Sequence, residues 1–311
     1  MNQVVYPIIE VPADAAEVIE AMGTKRKFWF HREDGMWLFK LTRTDTGEDW
    51  AEKIAEELCL LLGLPHAHYD LALWIGKPGV ISPSFVGAKE RLVPGNELLF
   101  ELDPGYPKQA AGARTRVPQH TLDAIAAVLN DRAIRLPTGG ALPAEARTAW
   151  DLFAGYLLLD AWIGNTDRHH ENWALIESAA DGTAERRLAP THDHGSSLGR
   201  NEPDWKRRRR LETSDRNDTV EAYTARAASK LYHHPGDTKP LSCFGAFEHA
   251  AHMTPFAGRA WLRRLLELDP AVVDALFERI PPERISATAA LFAQQILWFN
   301  RIRLLKLLEE T

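Results

Sequence analysis

The sequence predicts an α+β protein with a β-rich N-terminal lobe over residues 1–90 and a mainly helical C-terminal lobe over residues 91–311. Short aromatic segments flank a turn near the N-terminus, whereas apolar residues in the C-terminal third recur with helical periodicity. Between them, residues 94–148 are rich in Pro and Gly, which is typical of a lobe junction or a long surface excursion. A chain of 311 residues is also long enough for two lobes, because one domain usually holds about 100–200 residues.

The N-terminal elements follow a β-β-α-β-β order. Residues 27–31 and 36–42 are apolar and aromatic, and the turn between them ends in Gly35, which predicts a β-hairpin. Residues 49–62 have the apolar spacing of a helix that ends before Gly63. The remaining predicted strands are residues 69–75 and 79–86.

The C-terminal lobe is predicted to consist mainly of helices, interrupted by one polar loop and a short hairpin. A helix that starts near residue 145 ends before Gly164, and the polar stretch 165–172 follows it. Residues 172–177 and 186–193 are then expected to pair as two strands, and a run of amphipathic helices ends the chain.

Composition excludes several classes of protein. The chain has 37 basic and 43 acidic residues, a net charge of −6, so general attraction to nucleic acid or to an anionic membrane is not expected. Cys59 and Cys243 lack a CxxC neighbour, which argues against a disulfide framework or a cysteine zinc site. No signal peptide is recognisable, and no apolar run reaches the roughly 18 residues of a membrane span. A cytoplasmic protein is therefore predicted.

Three oxygen-bearing side chains follow the spacing that phosphoryl transfer requires. Asp167 is followed five residues later by Asn172, and after the predicted hairpin comes Asp193, two residues before Gly195. An aspartate can orient the attacking hydroxyl, while an Asn carbonyl and a second Asp can ligate Mg²⁺ on the nucleotide phosphates.

The predicted sheet lobe supplies groups that would hold a nucleotide. A glycine-containing loop lies at residues 23–25, Lys40 ends a strand, and Glu52 follows in the first turns of the next helix. A strand lysine held by a helix glutamate is the usual way in which a kinase grips phosphates. Three neighbouring acids, Glu48, Glu56 and Glu57, remain alternatives to Glu52 as the partner.

These motifs resemble those of the HipA-like kinases. The segments IGNTDRHHENW and THDHGSSLGR carry the resemblance, and their DRHxxN…DxG core is shared with phosphoinositide 3-/4-kinases. It extends through GTKRKFWF, LFK and AEKIAEELCLLLGLP, and covers most of residues 23–247. The resemblance implies a two-lobed protein-kinase-like fold and ATP- and Mg²⁺-dependent phosphorylation of Ser or Thr in a protein.

Site roles follow from the resemblance position by position. Asp167 resembles the catalytic aspartate, Asn172 and Asp193 resemble the metal ligands, and Lys40 with its partner Glu52 resembles the nucleotide-binding pair. The resemblance further implies that Arg168 supports the catalytic loop and that His169 contacts backbone near Asp193. The remaining nucleotide-binding residues implied are Gly23 and Thr24 in the phosphate loop, and Ser84, Phe85 and Val86 in the hinge that meets adenine.

The sequence departs from the long HipA kinases at its start. The phosphate loop is expected as early as residue 23, which leaves no room for their preceding subdomain and predicts a short, core-only relative. A toxin role and an antitoxin-like protein partner are therefore left open.

Three other functions are considered. A lipid such as a phosphoinositide could replace the protein acceptor. Four clustered histidines suit a His/Asp metal-dependent hydrolase, although they lack the spacing of two ligands on one helix face. A basic block at residues 205–218 suggests nucleic-acid binding or a solvated loop, but the acids around it argue against direct nucleic-acid binding. The four histidines are His169, His170, His192 and His194.

Overall fold

The computed structural model describes residues 4–15, 18–19, 27–107, 116–180 and 183–310. These parts of the chain form two β-sheets and ten α-helices, which confirms the predicted α+β class. The predicted phosphate-loop residues Gly23 and Thr24 lie outside the described residues.

Six strands form the first sheet. They are β1 (Ile8–Val11), β2 (Val18–Ile19), β3 (Lys27–Arg32), β4 (Gly35–Leu41), β5 (Asp70–Trp74) and β6 (Lys77–Pro83). Their order is β1-β5-β6-β4-β3-β2, and all neighbours are antiparallel except β1 and β5. The predicted hairpin is β3–β4, in which Lys27 pairs with Lys40. Its alternating aromatic residues give the sheet a buried face, which holds Phe28, Phe30, Trp37 and Phe39.

The first helix, α1 (Glu48–Leu62), packs against β5 and β6 on one side and against C-terminal helices on the other. It ends at Gly63, whose φ of +71° places it in the left-handed region that favours glycine. Because the helix is enclosed on both sides, even Glu48, Glu52 and Lys53 are buried. Buried charges need partners: Glu52 has Lys40 of the sheet, Glu48 has Arg200 of the C-terminal part, and Lys53 has two glutamates of α1 itself.

A second sheet begins after the linker that contains Ser84, Phe85 and Val86. Its strands are β7 (Glu90–Pro94), β8 (Ile134–Arg135), β9 (Ala174–Ala180) and β10 (Thr183–Leu188), in the order β7-β9-β10-β8. The strand predicted for residues 79–86 thus ends at Pro83, and that predicted for residues 186–193 ends at Leu188. A lobe boundary at residue 90 remains a prediction.

Helix α4 (Ala149–Ile163) is the centre of the C-terminal part, and all of its residues but one are buried. A capping box formed by Thr148 and Asp151 starts it, and Gly164 ends it. The other helices are α2 (Gly95–Leu102), α3 (Leu122–Leu129), α5 (Asp204–Glu212), α6 (Val220–Ala225), α7 (Cys243–Met253), α8 (Pro255–Glu267), α9 (Pro270–Glu278) and α10 (Ala287–Glu310).

The basic block differs from the solvated loop considered above, because most of it forms α5. Its arginines are largely paired with acids: Arg207 with Asp204, and Arg210 with Asp218. These pairs neutralise part of the positive charge of α5. Within the described residues, no helix is long and apolar enough to cross a membrane.

Candidate active site

The loop that carries Asp167 starts where α4 ends. Gly164 adopts a φ of +65°, which turns the chain out of the helix into residues 165–172. Within this loop, the Asn172 side-chain amide donates to the backbone carbonyl of Asp167 over 2.7 Å. The bond commits the amide nitrogen and leaves the side-chain oxygen of Asn172 as its acceptor atom. Asp167 and Asn172 are therefore fixed relative to each other by the loop itself.

Arg168 holds this loop from inside the protein. Its guanidinium is 1% exposed and makes a bidentate ion pair with Asp160 of α4, over 2.7 and 2.8 Å. The same group donates to the Asn172 carbonyl over 2.7 Å and to the Thr191 hydroxyl over 3.0 Å. Arg168 thus connects α4, the catalytic loop and the segment that leads to Asp193, in agreement with its predicted supporting role.

Asp193 has an unusual backbone conformation, and the segment that follows it lies close to α1. Its φ of +58° lies in the left-handed region, and its N–H donates to the hydroxyl of Tyr69 over 3.1 Å. A Cβ atom at Gly195 would lie 3.3 Å from the Glu48 carbonyl oxygen, tighter than most such contacts. Glycine therefore lets this segment approach the helix, and the carboxylate of the strained aspartate lies close to Lys40.

Lys40 lies between two carboxylates. Its ammonium nitrogen is 3.4 Å from Glu52 Oε1 and 3.5 Å from Asp193 Oδ1. Burial alone would lower the pKa of Lys40, but the negative charges of Asp193 and Glu52 raise the pKa well above its ordinary value. A permanently charged ammonium at this position is what a nucleotide phosphate requires.

The structure distinguishes Glu52 from the three neighbouring acids. Its second oxygen accepts the backbone N–H of His194 over 2.5 Å, so that one carboxylate contacts both Lys40 and the segment around Asp193. Glu48 instead pairs with Arg200, and Glu56 and Glu57 pair with Lys53. The sequence does not distinguish the partner of Lys40, since all four acids lie on one helix; the tertiary contacts do.

A second connection from α1 reaches Asp167. Arg200 pairs with Glu48 of α1 and donates to the Ser196 hydroxyl over 2.9 Å, and that hydroxyl lies 3.4 Å from Asp167 Oδ2. Sequence reasoning did not assign Arg200, because its only signal was a position seven residues after Asp193.

The predicted hinge residues form a compact turn beside the site. The Ser84 hydroxyl donates to the Val86 carbonyl over 3.0 Å and accepts the Val86 N–H over 3.2 Å. The Phe85 ring lies 5.4 Å from the ring of His192, which immediately precedes Asp193. Contact with adenine remains a prediction for these residues.

The donor set suits magnesium. Asp193 and Asp167 offer carboxylate oxygens and Asn172 an amide oxygen, which are the hard ligands that Mg²⁺ prefers. Asp193 is about one-third exposed, so its carboxylate remains accessible to solvent and to a cation.

The four clustered histidines separate into different surroundings. His169 accepts the N–H of Glu171 over 3.2 Å, which corrects the expected contact with backbone near Asp193. His170 meets the Tyr106 hydroxyl over 2.7 Å, whereas His194 meets the Thr191 hydroxyl over 2.7 Å. Among the described residues, no group of three or more His, Cys, Asp or Glu side chains could hold a metal ion.

Two solved structures resemble nearly the whole chain. The Helicobacter pylori proinflammatory kinase CtkA has a TM-score of 0.67 and 18% identity, over 98% of this chain and 98% of that chain. HipA of Shewanella oneidensis, solved with HipB and operator DNA, has a TM-score of 0.52 and 12% identity, over 97% of this chain and 70% of that chain. This chain has the HipA-like kinase fold. The predicted two-lobed, protein-kinase-like architecture is thereby confirmed.

The similarity to HipA-like kinases is a similarity of structure. No protein-family model matches the sequence, and the comparison with curated proteins gives no match. At such low identity the similarity concerns the fold, so the chemistry has to be argued from the residues themselves.

Proposed function

We propose that this protein is an ATP- and Mg²⁺-dependent kinase that phosphorylates Ser or Thr hydroxyls of a protein. The observation that carries the proposal is the position of Lys40 between Glu52 and Asp193, at 3.4 and 3.5 Å. A lysine held by a helix glutamate beside an aspartate of a DxG segment is the constellation that grips nucleotide phosphates. The kinase-like fold agrees with this chemistry and supplies no residue role by itself.

The nucleotide would lie between the two lobes. Lys40, oriented by Glu52, would neutralise phosphate charge, and Gly23 and Thr24 remain the predicted phosphate loop. Ser84, Phe85 and Val86, which lie between β6 and β7, would meet the adenine, and the lobe boundary at residue 90 remains a prediction.

The acceptor hydroxyl would be oriented by Asp167, whose carboxylate can accept the proton as the new bond to phosphorus forms. Asn172 and Asp193 would hold Mg²⁺. When bound, the ion would neutralise charge on the phosphates. Arg168 would act indirectly, because its contacts fix the loop and it lies 1% exposed.

The test is label transfer from γ-labelled ATP with Mg²⁺ to a panel of proteins and phosphoinositides. Asp193→Asn and Asp167→Asn should each abolish transfer while the protein stays folded. Asp45→Asn is a matched control, because Asp45 is an exposed aspartate with a similar φ of +59°. Wild-type transfer in either site variant would refute the assignment.

The acceptor class is decided by where the label appears. Label in protein, lost in Asp193→Asn but not in Asp45→Asn, supports the proposal. Label in lipid alone would establish a phosphoinositide kinase instead. Zinc or iron found in the purified protein, combined with no transfer to any acceptor, would favour the hydrolase.

An antitoxin-like partner, and with it a toxin role, remains a prediction. HipA of S. oneidensis was solved together with HipB and operator DNA, and the partner proposed here would likewise be a protein. Affinity purification of the chain from its native host, with the partner identified by mass spectrometry and its effect on label transfer measured, tests this point.

A further inference from the structure

A cavity of about 830 Å³ lies beside the catalytic loop. Thr166, His169 and Glu171 line one side, so the cavity borders the residues on both sides of Asp167 in sequence. Residues 217–230, which include α6 and the segment after it, form the opposite side. Its size matches sites that enclose ligands of several residues or rings, and is far larger than a buried water requires.

The walls of the cavity carry an excess of positive charge. Arg210 is neutralised by Asp218, with 2.7 Å between Arg210 Nη1 and Asp218 Oδ1. After this pair, three cations, Arg116, Arg226 and Lys230, remain against one acid, Glu171, and among the described residues none of the three forms an ion pair with an acid. The cavity is therefore a basic region on a chain whose net charge is −6.

The Arg226 guanidinium is held in place without being neutralised, and the backbone that carries Lys230 is fixed. Arg226 Nη2 donates to the backbone carbonyl of Asn217 over 2.8 Å, which orients the guanidinium but leaves its full charge. Lys230 offers its carbonyl to the buried ring of His120 over 3.1 Å, so its backbone is anchored to the cavity wall. Oriented cations without a partner are the feature that recognises an anionic ligand.

The rest of the lining is neutral and able to form hydrogen bonds. Tyr223 and Ser229 contribute hydroxyl groups, and Asn300 of α10 contributes an amide. Tyr223 is fixed by its ring contacts, 5.3 Å from Phe292 and 5.0 Å from the Arg210 guanidinium. Such groups suit the backbone amides of a peptide as well as its side chains.

We propose that this cavity binds an acidic segment of the protein acceptor, so that Ser or Thr residues flanked by Glu or Asp are the preferred phosphorylation sites. The inference rests on the proposed kinase function, because it places the flanking residues of the acceptor next to Asp167. Arg226 and Lys230 would contact single carboxylates of an extended segment, and Tyr223 and Ser229 its backbone.

A phosphoinositide headgroup would use the same cations, but Glu171 lies on the lining beside them and disfavours it. A headgroup with several phosphates concentrates negative charge and would be repelled by this carboxylate, whereas an extended peptide can place its own carboxylates away from it.

The experiment compares two synthetic peptides that share a central Ser and differ only in having four flanking Glu or four flanking Gln residues. The wild-type protein should phosphorylate the Glu peptide with a kcat/KM about tenfold higher than the Gln peptide. The double variant Arg226→Gln, Lys230→Gln should lower the rate for the Glu peptide about tenfold more than the rate for the Gln peptide. Arg208→Gln is the matched control, because Arg208 is exposed on α5 and does not line the cavity.

Binding without catalysis separates this inference from the proposed function. Fluorescence anisotropy with the Glu peptide, its Ser replaced by Ala, should show binding that weakens about tenfold in the double variant and weakens further with added salt. If this binding is present while no acceptor is ever phosphorylated, the kinase proposal fails and the acidic-segment site stands.

Two results would overturn the inference while leaving the kinase intact. Equal phosphorylation of the Glu and Gln peptides, slowed alike in the double variant, would show that the cavity does not recognise acidic residues. Vesicles containing phosphoinositide that bind the wild type but not the double variant, and that displace the Glu peptide, would assign the cavity to a lipid headgroup.

Discussion

The molecule contains two charged clusters that approach each other in sequence only at Thr191 and Asp193, and they are built in opposite ways. Around Arg168, one guanidinium satisfies Asp160, the Asn172 carbonyl and Thr191 at 2.7–3.0 Å, and the group is 1% exposed. Around Lys40, the ammonium lies 3.4 and 3.5 Å from its two carboxylates. The Asp193 carboxylate in this second cluster is about one-third exposed on a residue with positive φ.

The difference suggests that the charges around Arg168 stabilise the structure and that those around Lys40 serve the proposed function. The Arg168 cluster is closed, since its donors are used inside the protein, and such a network specifies one loop conformation. The Lys40 cluster has longer contacts and a strained, accessible member, so its groups are available to the nucleotide and metal ion that the proposed function requires. We therefore expect substitutions in the first cluster to change stability and substitutions in the second to change catalysis.

The largest effect on stability is expected for Arg168→Met. The variant leaves the carboxylate of Asp160 buried without its ion-pair partner, which should lower the free energy of unfolding by about 3–5 kcal/mol. Urea denaturation followed by circular dichroism measures the change. Arg168→Lys keeps the charge but loses the bidentate geometry, so its free energy of unfolding should lie between those of the wild type and Arg168→Met. A variant as stable as the wild type would remove the basis for calling this cluster structural.

Lys40→Met should show the reverse pattern. Phosphoryl transfer should drop by about 10²–10³-fold, because the charge that holds the phosphates is gone. The free energy of unfolding should drop by only about 1–2 kcal/mol, since Glu52 keeps the His194 N–H and the Asp193 carboxylate reaches water. Label transfer and urea denaturation on the same preparation provide both numbers. A larger loss of stability in Lys40→Met than in Arg168→Met would contradict the assignment of the Arg168 cluster to stability and the Lys40 cluster to catalysis.

A third effect concerns pH and the buried His120. Its Nε2 accepts the indole N–H of Trp173 over 3.1 Å, while its Nδ1 faces the Lys230 carbonyl, which describes a neutral ring. Burial, and then the neighbouring His170, lower the pKa of His120 from 6.5 to about 3. The unfolded chain therefore binds this proton more strongly, and the stability contributed by the neutral ring is complete above about pH 6.5 and declines as the pH falls toward 3.

The measurement is the free energy of unfolding at pH 7 and pH 4.5 for wild type and His120→Gln. Glutamine retains an acceptor for Trp173 and does not titrate, so the wild type should lose about 2–3 kcal/mol more than the variant over this interval. Equal losses would mean that the ring is protonated in the folded protein.

The smallest effect is expected for Ser196→Ala, which removes the connection from Arg200 to Asp167. The hydroxyl lies 3.4 Å from the Asp167 carboxylate, a long contact, so transfer should slow by about threefold with unchanged stability. Ser197→Ala is the matched control, because within the described part of the chain the buried Ser197 hydroxyl has no hydrogen-bond partner. Equal slowing in both variants would show that Ser196 has no positioning role.

Local elements were predictable where the residues carry local signals. The hairpin β3–β4 follows from alternating aromatics around Gly35, and α1 and α4 end at glycines whose positive φ stops a helix. Element ends without such a signal were placed wrongly, as with the strand that stops at Pro83 instead of residue 86. The basic block illustrates the same limit: its charge suggested a solvated loop, whereas it forms a helix with mutually paired charges.

The sequence by itself determined the order of elements, the HipA-like resemblance and the set of side chains proposed for chemistry, because spacing and periodicity are local properties of the chain. Tertiary structure alone decided that Glu52 faces Lys40, that Arg200 bridges α1 and Ser196, and that the histidines separate. It also created the basic cavity from segments far apart in sequence. The reason is physical: each of these features depends on burial and on charge pairing across long sequence separations, which no local pattern records.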